Sequence, residues 1–547
     1  MTVSIRLNGK RLGTSPGGSR IVRACTCIWR NGLLLLLCNL SACSDWLPHV
    51  DLAPDYSPPQ YVVPVSWRGS SPFVEAKPSD AELRLDWWTA YNDPVLNRLE
   101  EQAMAANPDL QAAAERFVQA RDMMMKARSR RIPQVGLGFG PSDNRQSDNA
   151  LFRPPGIPNQ ESSVSAGGLA SWEPDFWSAI RNATRVETYR AEERAADYGL
   201  ARLSLQAEIG ANYFTLRGYD AQAEIYAQSI DLYTRSLNLV KAQFAGAIAS
   251  ALDVARVESL LFTTETKLAQ IEGQRQVTEQ AIAILVNMAP AGFTIKPIGE
   301  LRVAKFTIPE MIPSTLLERR PDIAGMERRM AQANRAIGIA RAAFYPDVKF
   351  RIGGGFEDAG FNLLSLANSF WSYGSTVSLP VFQGGYRRAQ LQQAWSSYRE
   401  TEDQYRSTVL NAFREVENNL SLTNRLTVAA DRQDAAVGAT LKAQNLTMEL
   451  YRGGLASSLE LIYAQVATLT ARIDSVQIKA ELLRNSVELI RALGGGWTRD
   501  QLPADEQIQP FDTFQYTGLD KPLPAGGIDV NADNNARHHD LTKPSVP

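Results

Sequence analysis

From Pro174 to Pro290 the chain runs 115 residues without a proline, and from Pro380 to Pro503 another 122. Proline costs a helix interior about 3 kcal/mol, because it lacks a donor N–H and its ring clashes with the preceding turn. Stretches of this length without it, rich in Ala, Gln, Glu, Leu and Arg, predict helices far longer than those of an ordinary globular domain. Each arm is interrupted near its middle, by Gly246 in the first and Gly453-Gly454 in the second, so each is expected to fold back as a helical hairpin. The first limb, from about Thr184 to Phe244, would extend about 90 Å at 1.5 Å per residue. In the second arm Leu459, Ile462, Val466, Leu469, Ile473, Val476, Ala480, Leu483, Val487 and Ile490 follow three-four spacing, the pattern of a coiled-coil seam.

The two arms belong to two copies of one plan. The run from Asn107-Pro108-Asp109-Leu110 to Ile132-Pro133-Gln134-Val135 returns 213 residues later, from Arg320-Pro321-Asp322-Ile323 to Tyr345-Pro346-Asp347-Val348. Trp172-Glu173-Pro174-Asp175-Phe176 is matched by Ser378-Leu379-Pro380-Val381-Phe382, and Phe244-Ala245-Gly246 with Leu252-Asp253 by Tyr451-Arg452-Gly453 with Leu459-Glu460. A duplication on this scale builds one structural unit twice and packs it against itself.

Between the helical parts lie four segments of period two. Val135, Leu137 and Phe139 alternate with glycines, and Val164, Ala166, Gly168, Ala170 and Trp172 share one face. Val348, Phe350 and Ile352 alternate with Lys349 and Arg351, while Trp371, Tyr373, Val377 and Leu379 fall together. Such strands have the length that crosses a bilayer when tilted. In hydrocarbon a sheet must close on itself to pair its backbone, and four strands are too few. Several chains are therefore expected to lend four strands each, three copies making twelve.

The N-terminus is set apart. Arg6, Lys10, Arg11, Arg20, Arg23 and Arg30 precede the apolar run Leu33 to Leu37, and Leu40-Ser41-Ala42-Cys43 follows. This has the order of a secretory signal, and the apolar run is well short of the ~20 residues of a spanning helix. Leu-Ser-Ala-Cys resembles a bacterial lipobox, which implies cleavage before Cys43 and lipid on its sulfur and amine. Cys25, Cys27 and Cys38 would leave with the leader, so Cys43 would be the lone mature cysteine and could form no internal disulfide. Ser44, rather than Asp, follows it, which favours the outer membrane. Losing six positive charges and no negative ones takes the net charge from −2 to −8, a poor balance for nucleic acid.

Candidate chemistry is thin. The histidines are His49, His538 and His539, so a histidine-based triad or metal site in the core is not expected. Gly136-Leu137-Gly138-Phe139-Gly140 lacks dinucleotide-loop spacing, and Gly353-Gly354-Gly355 and Gly494-Gly495-Gly496 lack the Lys-Ser/Thr of a phosphate loop; glycine is expected to let strands bend. Glu327-Arg328-Arg329 is expected to form a solvated helix face, Met123-Met124-Met125 to be packing, and Asn182-Ala183-Thr184 to be no glycan acceptor.

The chain resembles the outer membrane factor family, the TolC-like exit ducts, and within it the OprM/NodT-type lipoproteins. The likeness runs from Cys43 to about Trp497. It rests on Ala53-Pro54-Asp55-Tyr56, Trp87-Trp88 with Asp93-Pro94, Arg319-Arg320-Pro321-Asp322-Ile323, Arg341-Ala342-Ala343-Phe344-Tyr345-Pro346, Leu379-Pro380-Val381-Phe382 with Gly384-Gly385, and Glu415-Val416-Glu417-Asn418. The resemblance implies an α+β membrane protein: a homotrimer with a twelve-stranded outer-membrane β-barrel, continued in the periplasm by an α-helical barrel of coiled-coil hairpins. It implies no catalysis and no cofactor beyond the Cys43 lipid. Its partners would be a periplasmic adaptor and an inner-membrane pump, commonly of the RND class, in an efflux system for small molecules. The expected organisation is a leader (1–42), an extended segment (43–85), a first repeat (86–300), a second repeat (301–499) and a polar tail (500–547). Alternatives are the exit duct of a type I protein-secretion system and a periplasmic coiled-coil scaffold without a pore.

The resemblance also places function at the hairpin tips, where acidic residues often ring the closed aperture and filter cations. Asp253 and Glu460 occupy that place, with a solvated helix face as the alternative. One turn on, where an aspartate is common, this chain has Arg256 and Tyr463, so a thinner ring is expected. Phe244, Tyr451 and Arg452 share the tips with the turn glycines Gly246 and Gly453, and these three side chains are expected to help close the pore or grip the adaptor.

Overall fold

The computed structural model describes residues 48–59, 85–148, 156, 159–301, 316–363 and 365–503. The expected leader, Cys43, His538, His539 and the tail from residue 504 lie outside them. The chain divides into two compact units, each drawn from both copies of the repeat. One takes the described parts of Met1–Ala53, Lys126–Thr184 and Ile337–Leu391; the other takes those of Pro54–Met125, Arg185–Ala336 and Gln392–Pro547.

The order of elements is α1 (Pro94–Ala106), α2 (Pro108–Ser129), β1 (Gln134–Arg145), β2 (Gln160–Trp172), α3 (Ala179–Ala245), α4 (Ala251–Leu285), α5 (Pro321–Ala342), β3 (Asp347–Asp358), β4 (Ser369–Ser378), α6 (Tyr386–Arg452) and α7 (Ser458–Ala492). The long helices of the copies match in length as well as in order. α2 and α5 have 22 residues each, α3 and α6 have 67, and α4 and α7 have 35. At 1.5 Å per residue the long limbs extend about 100 Å. α3 starts five residues before the expected Thr184, because the Asp175 carboxylate accepts the free N–H groups of Ile180 (3.0 Å) and Arg181 (2.8 Å). Among the described residues no helix is long and apolar enough to cross a membrane.

The first unit is organised by one antiparallel sheet in the order β1-β2-β3-β4. Its register aligns Val135, Ala170, Ile352 and Tyr373 in one row, and Leu137, Gly168, Gly354 and Trp371 in another. Directly paired residues point to the same side, so the apolar stripes of all four strands fall on one face. That face is largely exposed, Leu137 by 89% and Trp371 by 75%, although Val164 on it is buried. The other face carries Gly136, Gly138, Gly167, Gly353, Gly355, Ser165, Ser171, Ser372, Lys349 and Arg351, with Leu169 and Phe370 as apolar exceptions. A Cβ at Gly355 would stand 2.2 Å from the Ala166 oxygen and 2.5 Å from the Gly167 Cα. β2 and β3 thus approach so closely at Gly355 that no side chain fits there. β1 and β4 are edges with no further strand among the described residues.

Residues 48–53 lie across the junctions where this sheet meets helices. The Val50 N–H donates to the Phe176 oxygen (2.9 Å), Asn182 donates to Asp51 (2.8 Å) and Arg341 donates to the Leu52 oxygen (3.0 Å). Asn182 is wholly buried in this arrangement, which leaves no room for a glycan.

The second unit is helical. Its largest core gathers Trp87, Tyr91, Leu96, Tyr213, Phe214, Ile282 and Val487, and a second joins Ile323 to Tyr405, Val409, Val416 and Leu489. Phe117, Met124 and Met125 pack with Ala191 and Ala195, whereas Met123 is exposed. The two copies make one joint with different chemistry. Asn107 caps α2 through Asp109 and Leu110 and donates to the oxygen of Leu285, the last residue of α4 (2.9 Å). Arg320, in the same place, donates to the oxygen of Ala492, the last residue of α7 (3.1 Å), and pairs with Asp322 and Glu415.

Three expectations are corrected here. The seam of α7 holds at Ile473, Leu483, Val487 and Ile490, but Leu459 and Val466 are exposed, and Leu461, Gln465 and Thr468 are buried in their stead. Near the tip α7 lies between two limbs. Gln465 donates to Ser236 of α3 (3.1 Å) and Thr468 to the Thr440 oxygen of α6 (3.0 Å), which turns the buried stripe midway between them. Glu327-Arg328-Arg329 is a solvated face only at Arg329. Glu327 is 5% exposed and accepts from Tyr56 and Arg499, Arg328 pairs with Glu192 (2.7 Å), and Arg329 with buried Glu193 (2.5 Å). Gly494-Gly495-Gly496 is in no strand but forms the left-handed turn that ends α7. A Cβ at Gly494 would lie 2.0 Å from the Arg319 oxygen.

Candidate functional site

Both hairpins turn by the same device. The Ile248 N–H reaches back to the Gln243 oxygen (2.8 Å) and the Leu455 N–H to the Leu450 oxygen (2.8 Å), the six-to-one bond of a Schellman turn. The left-handed residue is Gly454 in the second hairpin (φ 72°) and Ala247 in the first (φ 56°). Gly246 therefore precedes the turn residue instead of supplying it.

The descending helices start with matched capping boxes. The Ser250 hydroxyl accepts the Asp253 N–H (3.2 Å) while Asp253 accepts the Ser250 N–H (3.1 Å). Ser457 and Glu460 do the same at 3.3 and 2.7 Å. The carboxylates proposed for an acidic ring are thus both engaged at helix N-termini, where the helix dipole also favours them. Asp253 has further partners, since Ser458 of the second hairpin donates to it and Arg256 lies 3.8 Å away. The hydroxyl and N–H of Ser250, with Ser458, hold its pKa below the usual carboxylate range.

The tips of the two copies are joined. Tyr233, Leu237, Val240, Val257, Leu261, Tyr451 and Leu461 form one buried apolar cluster, and the Tyr451 hydroxyl donates to Gln243 (2.7 Å). Burial there, with Asp253 nearby, pushes the Tyr451 phenol pKa up. The structure thus brings Asp253, Arg256 and Tyr451 together. It leaves the others apart: Arg452 pairs with Glu449 on its own helix (2.9 Å), Glu460 serves its own cap, and Phe244 and Tyr463 are exposed, Tyr463 by 67%. Ser250 and Ser457 were missed, although the Ser-x-x-Asp/Glu spacing is the signal that finds them. Gln243, Ser458 and Gln465 carry no sequence signal, because their partners belong to the other hairpin.

One four-stranded sheet with a largely exposed apolar face, to which each copy lends two strands followed by a long helical hairpin, is the subunit plan of an outer-membrane channel. The family model described as outer membrane efflux protein matches residues 99–287 and 312–495, one segment in each copy. The chain belongs to that family. It is 28% identical over 458 residues to the pyoverdine export outer membrane protein OpmQ of Pseudomonas aeruginosa, covering 80% of this chain and 92% of that protein. To the outer membrane protein OprJ of the same organism it is 29% identical over 473 residues, covering 85% and 95%. The solved outer-membrane channel OprN superimposes with a TM-score of 0.76 at 27% identity, over 81% of this chain and 99% of that one. The open-state Neisseria gonorrhoeae MtrE channel, at 24% identity and a TM-score of 0.73 over 82% and 99%, shares the fold.

Proposed function

We propose that the chain is the exit duct of a tripartite efflux system for small molecules, a passive conduit that works as a homotrimer in the outer membrane. The observation that carries this reading is the sheet, whose four apolar stripes share one largely exposed face while β1 and β4 have no further partner strand among the described residues. Strands of 10 to 13 residues suffice to cross a bilayer. Three copies would close the sheet into a twelve-stranded barrel, lipid against the apolar face and water against the glycine and serine face. A periplasmic scaffold without a pore would leave that apolar face in water. Cys43 would carry the lipid, and residues 48–53, fixed across the base of the sheet, would hold the anchor near the membrane surface.

The tips would meet a periplasmic adaptor, with an RND-type pump behind it choosing the cargo. Phe244, Asp253, Arg256, Tyr451, Arg452, Glu460 and Tyr463 are the residues proposed to shape the entrance. The test is a deletion strain profiled for drug susceptibility and complemented with the gene, alongside outer-membrane fractions examined for a heat-modifiable trimer. A chain recovered as soluble monomer, or a deletion without effect on any export substrate, would overturn the reading. Bilayer conductance and ion selectivity unchanged in Asp253→Ala with Glu460→Ala would remove those two carboxylates from the entrance.

A further inference from the structure

The two copies leave the sheet by equivalent loops, and the loops have different surroundings. β2 is followed by Pro174-Asp175-Phe176-Trp177-Ser178 and β4 by Leu379 and Pro380-Val381-Phe382-Gln383-Gly384. Ser178 and Gly384 hold the same left-handed backbone, at φ 53° and 57°, so the loops turn alike. The first loop is seated within the chain. Its Trp177 ring stacks on Tyr345 with centroids 4.5 Å apart and planes 29° from parallel, and its Nε1–H donates to the Pro346 oxygen (2.9 Å). Tyr345 and Pro346 form the entry to β3, which stands beside Trp177 because β2 pairs with β3.

The second loop lacks that seat. Val381 is 91% exposed and Phe382 88%. It issues from β4, one open edge of the sheet, and the other open edge is β1. The entry to β1 is Ile132-Pro133, the counterpart of Tyr345-Pro346 in the duplicated sequence. The chain therefore displays both halves of a contact that it makes only once internally.

We propose that Val381, Phe382 and Gln383 form an interface with a second copy of this chain, seated on that copy's Ile132-Pro133 entry. The contact repeats between chains what Trp177 makes with Tyr345 and Pro346 inside one. Gln383 stands where Trp177 stands, so its side-chain amide donates to the Pro133 oxygen of the second copy. Ile132 in place of Tyr345 removes the ring stack, and burial of Phe382 and Val381 replaces it. The proposal rests on the trimeric reading above and adds the residues that carry the seam and their pairing.

Cysteine pairs in the full-length lipoprotein test it. Gln383→Cys combined with Ile132→Cys, treated in membranes with a mild oxidant or a short bismaleimide, should give cross-linked dimers and trimers on non-reducing gels. Each single variant should give none, and Trp177→Cys with Tyr345→Cys should link within one chain, leaving a monomer. Absence of cross-links in a double variant that native gels show to be trimeric would overturn this pairing and leave the trimer standing. A wild-type chain that is monomeric on native gels would overturn the trimer as well. A separate variant, Phe382→Ala, should lower the temperature at which the trimer dissociates by several degrees. An unchanged temperature would overturn the role of Phe382 even if the double variant failed to reach the membrane.

Discussion

Asp253 of the first hairpin accepts a hydrogen bond from Ser458 of the second while it closes the capping box of its own helix with Ser250. One carboxylate thus ends a helix and joins two copies of the repeat. Its folded pKa is depressed below the ordinary 3.8. A depressed carboxylate adds stability that is present above the unfolded pKa and is lost as pH falls through the folded one. The tip should therefore be intact at pH 5 and loosen below about pH 4. Hydrogen exchange across residues 243–261, corrected for intrinsic rates, should accelerate in that window. Asp253→Asn should cost about 1 kcal/mol of local protection at neutral pH and flatten the acid response. An acid response unaltered in the variant would assign it to another group.

The turn residues give a second prediction. Ala247 pays a left-handed backbone penalty that Gly454 avoids. Ala247→Gly should stabilise the first tip by about 0.5 to 1 kcal/mol, and Gly454→Ala should weaken the second by a similar amount. Limited proteolysis at the tips should slow in the former variant and speed up in the latter.

The glycines of the sheet supply a sharper contrast. Gly355→Ala would drive a methyl group into the Ala166 backbone, whereas a Cβ at Gly374, also on the polar face, meets nothing within 4 Å. The first substitution should abolish recovery of folded protein from outer membranes. The second, an unobstructed surface change, should alter stability by no more than about 0.5 kcal/mol and leave the yield unchanged. Equal yields would refute the close approach of β2 and β3.

Glu327 joins α5 to two distant parts of the chain, Tyr56 and Arg499. Glu327→Ala should cost about 2 kcal/mol, since charged hydrogen bonds are lost but the part-exposed Arg499 regains water. Urea unfolding, followed by Trp fluorescence, should report it. A midpoint that does not move would make the cluster energetically idle.

These cases show what was legible in the sequence. Strand faces were legible because period two depends only on neighbours along the chain, and Leu137, Ile352 and Trp371 all point where that pattern puts them. The hairpins were legible from missing prolines; the capping boxes were missed, although their Ser-x-x-Asp/Glu spacing stands in the sequence. What else escaped depends on residues remote in sequence. Glu327 resembles any charged helix position until Tyr56, 271 residues away, and Arg499, 172 residues away, close over it. Gln465 and Thr468 escaped for the same reason, since an apolar seam pattern does not foresee a stripe whose partners are backbone carbonyls and hydroxyls on two neighbouring helices.

The equal limbs, 67 residues down and 35 back in both copies, make length a shared property of the two halves. Deleting one heptad from α3 alone would withdraw its tip by about 10 Å. Gln243 would lose Tyr451, and Asp253 would lose Ser458, although no residue of the lock had been altered. Each copy therefore serves as the ruler against which the other is measured, and insertions or deletions in the limbs can be accepted only in matched pairs.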